Sequence, residues 1–146
     1  MKLIKPLLST IFFIALVVFI VVYFMLRGSL PSLDHTFTTA WVGSGTSIER
    51  DSIGVAKITA QSHSDAVFAL GYAHGQDRLF QMDLLRRSAA GELSEIVGDI
   101  AIDTDKKARF HQFRQRATKA VTSLPKEQQS LLESYAKGVN LAASEY

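Results

Sequence analysis

Residues 7–26, LLSTIFFIALVVFIVVYFML, run for twenty positions without a charge, a glycine or a proline. At ~1.5 Å rise per residue a helix of that length crosses the ~30 Å hydrocarbon layer of a bilayer, so the run predicts a transmembrane helix. The rival reading is a cleavable secretory signal, whose apolar region covers roughly 7–15 residues and ends in a small-x-small site. The greater length, and Arg27-Gly28-Ser29-Leu30 at its end, favour an uncleaved anchor. Lys2 and Lys5 on one side against Arg27 on the other keep residues 1–6 cytoplasmic and direct the chain beyond Arg27 to the exported side. In a Gram-negative cell that places the soluble part in the periplasm.

Beyond the anchor the pattern changes period. Residues 27–46 carry Gly28, Pro31, Gly43, Ser44 and Gly45 among serines and threonines, the composition of a linker. Ser47–Arg50 and Val55–Ala60 then read as two short strands around Asp51-Ser52-Ile53-Gly54, which predicts a β-hairpin. Ser62 and Ser64 are cap candidates and Asp65 is an anion in the first turn of a helix that runs to Ala90, with Gly91 placed to end it. On that helix Phe68, Tyr72, Leu79, Met82 and Leu85 fall near one face. Gly71 and Gly75, four apart, cost about 1 kcal/mol each relative to alanine, a cost that suggests another element approaches there. A short apolar turn at Leu93, Ile96 and Val97 ends at Gly98. A second helix behind Thr104 repeats Phe110, Phe113, Ala117, Val121 and Leu124 at helical spacing. A third follows Pro125 with Leu131, Leu132, Tyr135 and Val139 inward. The pattern is still helical at Ala142-Ala143-Ser144-Glu145-Tyr146, so residues 47–146 read as an incomplete part of a longer chain.

Charge separates the two parts. The isoelectric point is near 9.0, yet residues 31–146 hold 13 Lys/Arg against 14 Asp/Glu. The basic balance belongs to the flanks of the apolar run, and the soluble part as a whole carries no footprint for nucleic acid. With no cysteine, a disulfide scaffold, a thiol nucleophile and a thiolate metal site are all excluded.

The densest polar stretch is GYAHGQDRLFQMDLLRR, residues 71–87. His63, Asp65, His74 and Asp77 are the metal candidates, with His74 and Asp77 sharing a helix face, but no paired-histidine motif or calcium loop accompanies them. No G-x-S-x-G turn selects a serine nucleophile. Arg78 lies in an otherwise apolar stretch, which predicts a partly buried guanidinium with a structural partner; Asp51 in the hairpin turn is the candidate.

The order of these segments carries a resemblance. Arg50-Asp51, Gly54-Val55, Ile58, Ala60, Asp65, Gly71-Tyr72, Gln76-Asp77-Arg78-Leu79-Phe80-Gln81-Met82, Arg86-Arg87, Gly91, Glu95, Gly98 and finally Tyr135-Ala136 with Gly138-Val139-Asn140 resemble the start of the penicillin acylase family over about residues 47–143. Ala56 stands where that family often has proline, and Gly75 where alanine is usual. The resemblance implies an α+β fold, the N-terminal piece of an αββα N-terminal nucleophile hydrolase, made as one precursor and cut into two chains. It implies hydrolysis of the carbon–nitrogen bond of linear amides, penicillins, N-acyl homoserine lactones or others. The nucleophile is then the serine freed at the start of the second chain, with its own α-amine as general base through water and backbone N–H groups holding the oxyanion.

On this reading the catalytic residues and the family's calcium site fall outside the sequence, and no residue here is catalytic, cofactor-binding or metal-ligating. Arg50, Asp51, Asp77, Arg78 and Gln81 form a structural motif. The partners implied are the membrane, the rest of the polypeptide and an acyl-amide substrate, and the segment alone is inactive. A second reading, from a different class, is a membrane-tethered, non-catalytic helical module that binds a partner through Phe68/Tyr72 or Phe110/Phe113.

Overall fold

The computed structural model describes residues 4–28, 30, 34, 36–43 and 45–146. Lys2, Pro31 and Ser44, which enter the topology and linker readings, lie outside them. The chain divides into two compact units, one of residues 1–36 with Tyr146 and one of residues 37–145.

The first unit is helix α1, Ile4–Gly28, 25 residues long. It starts a turn earlier than the apolar run because Pro6 falls in the first turn, where its missing N–H would have had no intrahelical partner. An 18-residue window within residues 9–28 has a mean hydropathy of 2.8, and α1 is long and apolar enough to cross a membrane. Arg27 stands in the last turn, where a cation complements the helix dipole, and its Nη1 donates to Tyr23 Oη at 2.9 Å.

The second unit opens with β1, Ser47–Arg50, paired antiparallel to β2, Ala56–Thr59, with Ile48 opposite Ile58 and Arg50 opposite Ala56. The turn is built by Asp51: its Oδ1 accepts from Ile53 N at 3.0 Å and Val55 N at 2.8 Å, and Gly54 takes a φ of 84° that an L side chain would resist. One face carries the exposed Glu49–Lys57 pair, and the other turns Ile48, Arg50, Ala56 and Ile58 partly inward.

Helix α2, His63–Ala90, is capped as its sequence predicts, with Ser62 Oγ accepting from Asp65 N and Gly91 in the left-handed region at φ 72°. Asp65 also reaches back, its Oδ1 accepting from Gly43 N at 3.0 Å. The helix is not straight: Arg78 departs from helical geometry at φ −144°, ψ 22°. That kink splits the expected apolar face. Phe68 and Tyr72 before it are buried, whereas Leu79 and Met82 are half-buried and Leu85 is exposed.

After α3, Ser94–Val97, and a single 3₁₀ turn, the chain forms α4, Ile102–His111, and α5, Phe113–Ser123. The one helix expected behind Thr104 is therefore two. Gln112 takes φ 53° and breaks it. Thr104 lies inside α4, which follows directly from the 3₁₀ turn. The face expected inward is largely outward, with Phe110 83% exposed and Phe113 48%.

Helix α6, Lys126–Ala143, follows Pro125 and packs along the first half of α2. The seam is made of small residues. A Cβ added at Gly138 would lie 2.1 Å from Phe68 O, one at Gly71 2.2 Å from Tyr135 O, and one at Gly75 2.7 Å from Ala142 Cβ. The two backbones touch, and Ser134, Gly138 and Ala142, four apart, form the buried stripe of α6. Leu131, Tyr135 and Val139 flank it half-buried, and Leu132, expected inward, is exposed. Bulky side chains cannot occupy a contact line where main chains meet, so they are displaced to its edges.

Candidate functional site

The polar residues of 71–87 divide between a network at the α2–α6 seam and a charged belt beyond the kink. At the seam Tyr72 is 4% exposed. Its hydroxyl donates to the Glu145 carboxylate at 2.7 and 2.9 Å and accepts from Gln76 Nε2 at 3.2 Å, while Phe37 packs against its ring at 5.2 Å. His74 Nδ1 and Tyr135 Oη are 2.8 Å apart, and Ser64 and Ser134 hydroxyls pair at 2.8 Å.

Arg50 joins the hairpin to α2. Its Nη1 and Nη2 donate to the two oxygens of Asp77 at 3.1 and 2.9 Å, and further donations reach Gly54 O and Gln76 Oε1. The fork is bidentate and charge-assisted, the geometry in which a guanidinium fixes direction as well as distance. Arg50 is the better buried partner, its side chain 16% exposed against 44% for Asp77. In a double-mutant cycle of Arg50→Ala and Asp77→Ala we expect a coupling of about 1 kcal/mol, above the exposed-pair median because of the fork and discounted for the solvent at Asp77. Additive single losses by chemical denaturation would contradict it.

The other members of the expected motif are placed differently. Asp51 is occupied by its own turn, so it is not the partner of Arg78. Arg78 itself is exposed at the kink, as is Gln81, and neither side chain makes a hydrogen bond among the described residues. The partly buried pair predicted for Arg78 is thus formed by its neighbour Asp77 with Arg50, because the departure of residue 78 from helical geometry turns its side chain out.

Beyond the kink, Asp83 receives Arg86 at 2.6 Å and Arg87 at 2.7 Å; Arg87 also meets Glu95, and Arg114 forks onto Glu92. Hydrogen bonds from Arg87 and then Arg86 hold the Asp83 carboxyl below its ordinary range, and Arg114 does the same for Glu92. Asp105 is buried and ties α3 to α4: Leu93 N, Ser94 N and Ser94 Oγ all donate to it, at 2.9, 2.8 and 2.6 Å. Burial raises its proton affinity, but the Ser94 hydroxyl and the two backbone donors outweigh burial and lower it. Arg109 Nε closes the turn onto Gly91 O at 2.7 Å.

These carboxylates are fixed as anions at neutral pH and bound to donors, which suits structural linkage and not proton transfer. No serine hydroxyl bonds a histidine among the described residues. His63, Asp65, His74 and Asp77 are not drawn together, and no three His, Asp or Glu side chains there are grouped to hold a metal ion. A shallow apolar groove of about 320 Å³ lies between α2 and α6, lined by Val67, Leu124, Gln128, Leu131, Leu132 and Tyr135, without a charged group. Sequence reasoning missed Asp105 and the Tyr72–Gln76–Glu145 network. Asp105 sits 11 residues from Ser94 and Glu145 sits 73 from Tyr72, and no local signal links such positions.

A hairpin clamped by Arg–Asp to a glycine-bearing, kinked helix, with a second helix seated on those glycines, is a scaffold with a definite family. The penicillin amidase family profile matches residues 45–146, and the chain belongs to that family. Among curated relatives, it is 38% identical over 112 residues to an acyl-homoserine lactone acylase, QuiP, of Pseudomonas aeruginosa, covering 77% of this chain and 13% of that protein. The penicillin acylase 2 proenzyme of Pseudomonas sp. SE83 is 34% identical over 115 residues, 79% of this chain and 15% of the relative. A solved thermostable penicillin G acylase of Alcaligenes faecalis superposes with a TM-score of 0.63 at 31% identity, over 69% of this chain and 54% of that one. The relatives are acylases, and the chain spans about one seventh of the length of the curated ones.

Proposed function

We propose that this chain is the opening scaffold segment of a membrane-anchored acylase that hydrolyses the carbon–nitrogen bond of linear acyl amides. The observation that carries this reading is the penicillin G acylase likeness, which includes both the fold and 31% of the aligned residues. In the whole enzyme the segment contributes one flank of an αββα N-terminal nucleophile fold. The nucleophilic serine, its α-amine base and the oxyanion donors come from the remainder of the precursor. The relatives are penicillin and acyl-homoserine lactone acylases, which points to two substrate classes, penicillins and N-acyl homoserine lactones. Both present an acyl group on a secondary amide beside a small ring. We assign the calcium ion implied by the family to the remainder of the polypeptide as well, since Asp77, Asp83, Glu92 and Asp105 are engaged by arginines or by backbone and serine donors.

Helix α1 serves as the anchor, with residues 29–146 on the exported side. A reporter enzyme fused after Tyr146 is expected to be active only outside the cytoplasm. Cytoplasmic reporter activity would reverse that orientation. For the chemistry, the full-length precursor is expressed and assayed with a phenylacetyl amide and a long-chain N-acyl homoserine lactone. The proposal expects two chains and turnover of at least one substrate; a processed protein inert towards both would refute it.

A further inference from the structure

The near-neutral balance of the soluble unit conceals a local asymmetry. Residues 106–126 contain seven lysines and arginines and no aspartate or glutamate. Two of the seven are structural, Arg109 on Gly91 O and Arg114 on Glu92, and Lys106 meets Asp103 across an exposed contact. Lys107, Arg116 and Lys119 are exposed and make no ion pair among the described residues.

Within this basic segment lies an aromatic corner. Gln112, held in the left-handed region, reverses the chain between α4 and α5 and groups Phe110, His111 and Phe113, with the His111 ring edge-to-face to Phe110 at 5.7 Å and stacked on Phe113 at 5.3 Å. Phe110 is 83% exposed, and every residue of α5 is exposed. Helical spacing puts Lys106 and Lys107 one turn before Phe110, and Arg116 and Ala117 one turn after Phe113. Cations therefore border the rings on both sides.

We propose that the α4–α5 corner docks on an anionic phospholipid surface, the two phenylalanines entering the headgroup boundary and Lys107, Arg116 and Lys119 meeting lipid phosphates. Aromatic rings at the interface with flanking lysines and arginines match the chemistry of peripheral membrane contacts. A protein partner would cover the rings but gives no reason for an unbroken cationic segment. An anionic bilayer accounts for both features. The inference rests on the membrane-anchored reading of α1, which brings the unit to such a surface. Docking would hold the acylase against the membrane, where long-chain acyl amides concentrate.

The chain lacks cysteine, so a single Gln115→Cys change carries an environment-sensitive dye beside the corner, and Glu49→Cys on the hairpin carries the control. The 146-residue chain is reconstituted in phosphatidylethanolamine/phosphatidylglycerol vesicles or in phosphatidylcholine, each with acyl-brominated lipid as quencher. Insertion of α1 is read separately by resistance to carbonate extraction. We expect quenching at position 115 in the anionic vesicles only, lost at 1 M salt, where the Debye length falls to about 3 Å. Each of Lys107→Glu, Arg116→Glu and Lys119→Glu is expected to lower the docked-to-free ratio at least about fivefold. Quenching at 115 without extraction-resistant α1 would support the corner and refute the anchor. Equal quenching in both lipids, equal quenching at position 49, or none with α1 inserted would overturn the proposal. So would finding, in lipid-free full-length precursor, that the dye at 115 is already buried, which would assign the corner to the remainder of the polypeptide.

Discussion

Gly138→Val is expected to prevent the soluble unit from folding. At an exposed helical position, replacing glycine by a residue with a side chain is neutral or favourable by up to about 1 kcal/mol. Here the added Cβ alone would lie 2.1 Å from Phe68 O and 2.8 Å from Tyr72 N. Both atoms are backbone of α2, so no rotamer change relieves the contact, and α6 must move away as a body. That separates Ser134 from Ser64 and Tyr135 from His74, and opens the network at Glu145. Overpacking by a methylene or two costs ~1–3 kcal/mol where side chains can adjust. A side chain driven into main-chain atoms costs more, on the order of the whole stability of a domain, typically ~5–15 kcal/mol. Lys137→Ala, one residue away and exposed, is the control. Cooperative thermal unfolding of Gly138→Val near the wild-type midpoint would contradict the seam as described.

Phe68→Ala carries the second largest effect. Phe68 is the largest fully buried side chain among the described residues, on the face of α2 that meets α6. Removing a buried phenyl group typically costs ~3–5 kcal/mol, through lost transfer free energy and the cavity that remains. The other buried apolar residues are Ala69, Tyr72, Ala73, Ala101 and Ala142, and these give little material to refill the space. Denaturant titration is expected to show a lower midpoint with an unchanged slope. A loss below about 1 kcal/mol would mean that the core lies elsewhere. Leu85→Ala, at an exposed site beyond the kink, should change little.

These two substitutions probe the part of the fold that local sequence signals conveyed least evenly. The hairpin and both ends of α2 were legible because each rests on a local device: Asp51 and Gly54 in the turn, Ser62 with Asp65 at the start, Gly91 at the end. Gly71 and Gly75 announced a close approach by their cost, and α6 makes that approach. The inward face of α6 was misread, because large apolar residues suggest a core and the seam instead runs through Ser134, Gly138 and Ala142. The break at Gln112 left no trace, since glutamine carries no preference for positive φ. Pairings were the hardest. Arg50 and Asp77 are 27 residues apart, and the nearest charge in sequence, Asp51, offered itself to Arg78 although the turn had already claimed it.

The dense stretch at 71–87 thus functions mainly as joinery. Tyr72, His74 and Gln76 bind α6 and the hairpin, Asp77 binds Arg50, and Asp83, Arg86 and Arg87 tie α2 to the segment after Gly91 through Glu92 and Glu95. Arg78, Phe80, Gln81 and Leu85 are left exposed around the kink. In the proposed precursor these four are among the residues available to the remainder of the chain.

The central claim is that these residues support an acylase without supplying its reacting groups. Steady-state hydrolysis of a chromogenic phenylacetyl amide, measured side by side for the purified 146-residue chain and for the processed full-length protein, tests it most directly. The account predicts turnover by the processed protein and a rate for the chain alone that matches buffer. Turnover by the chain alone, abolished when His74 or Asp77 is replaced, would put the chemistry inside residues 71–87 and contradict the claim.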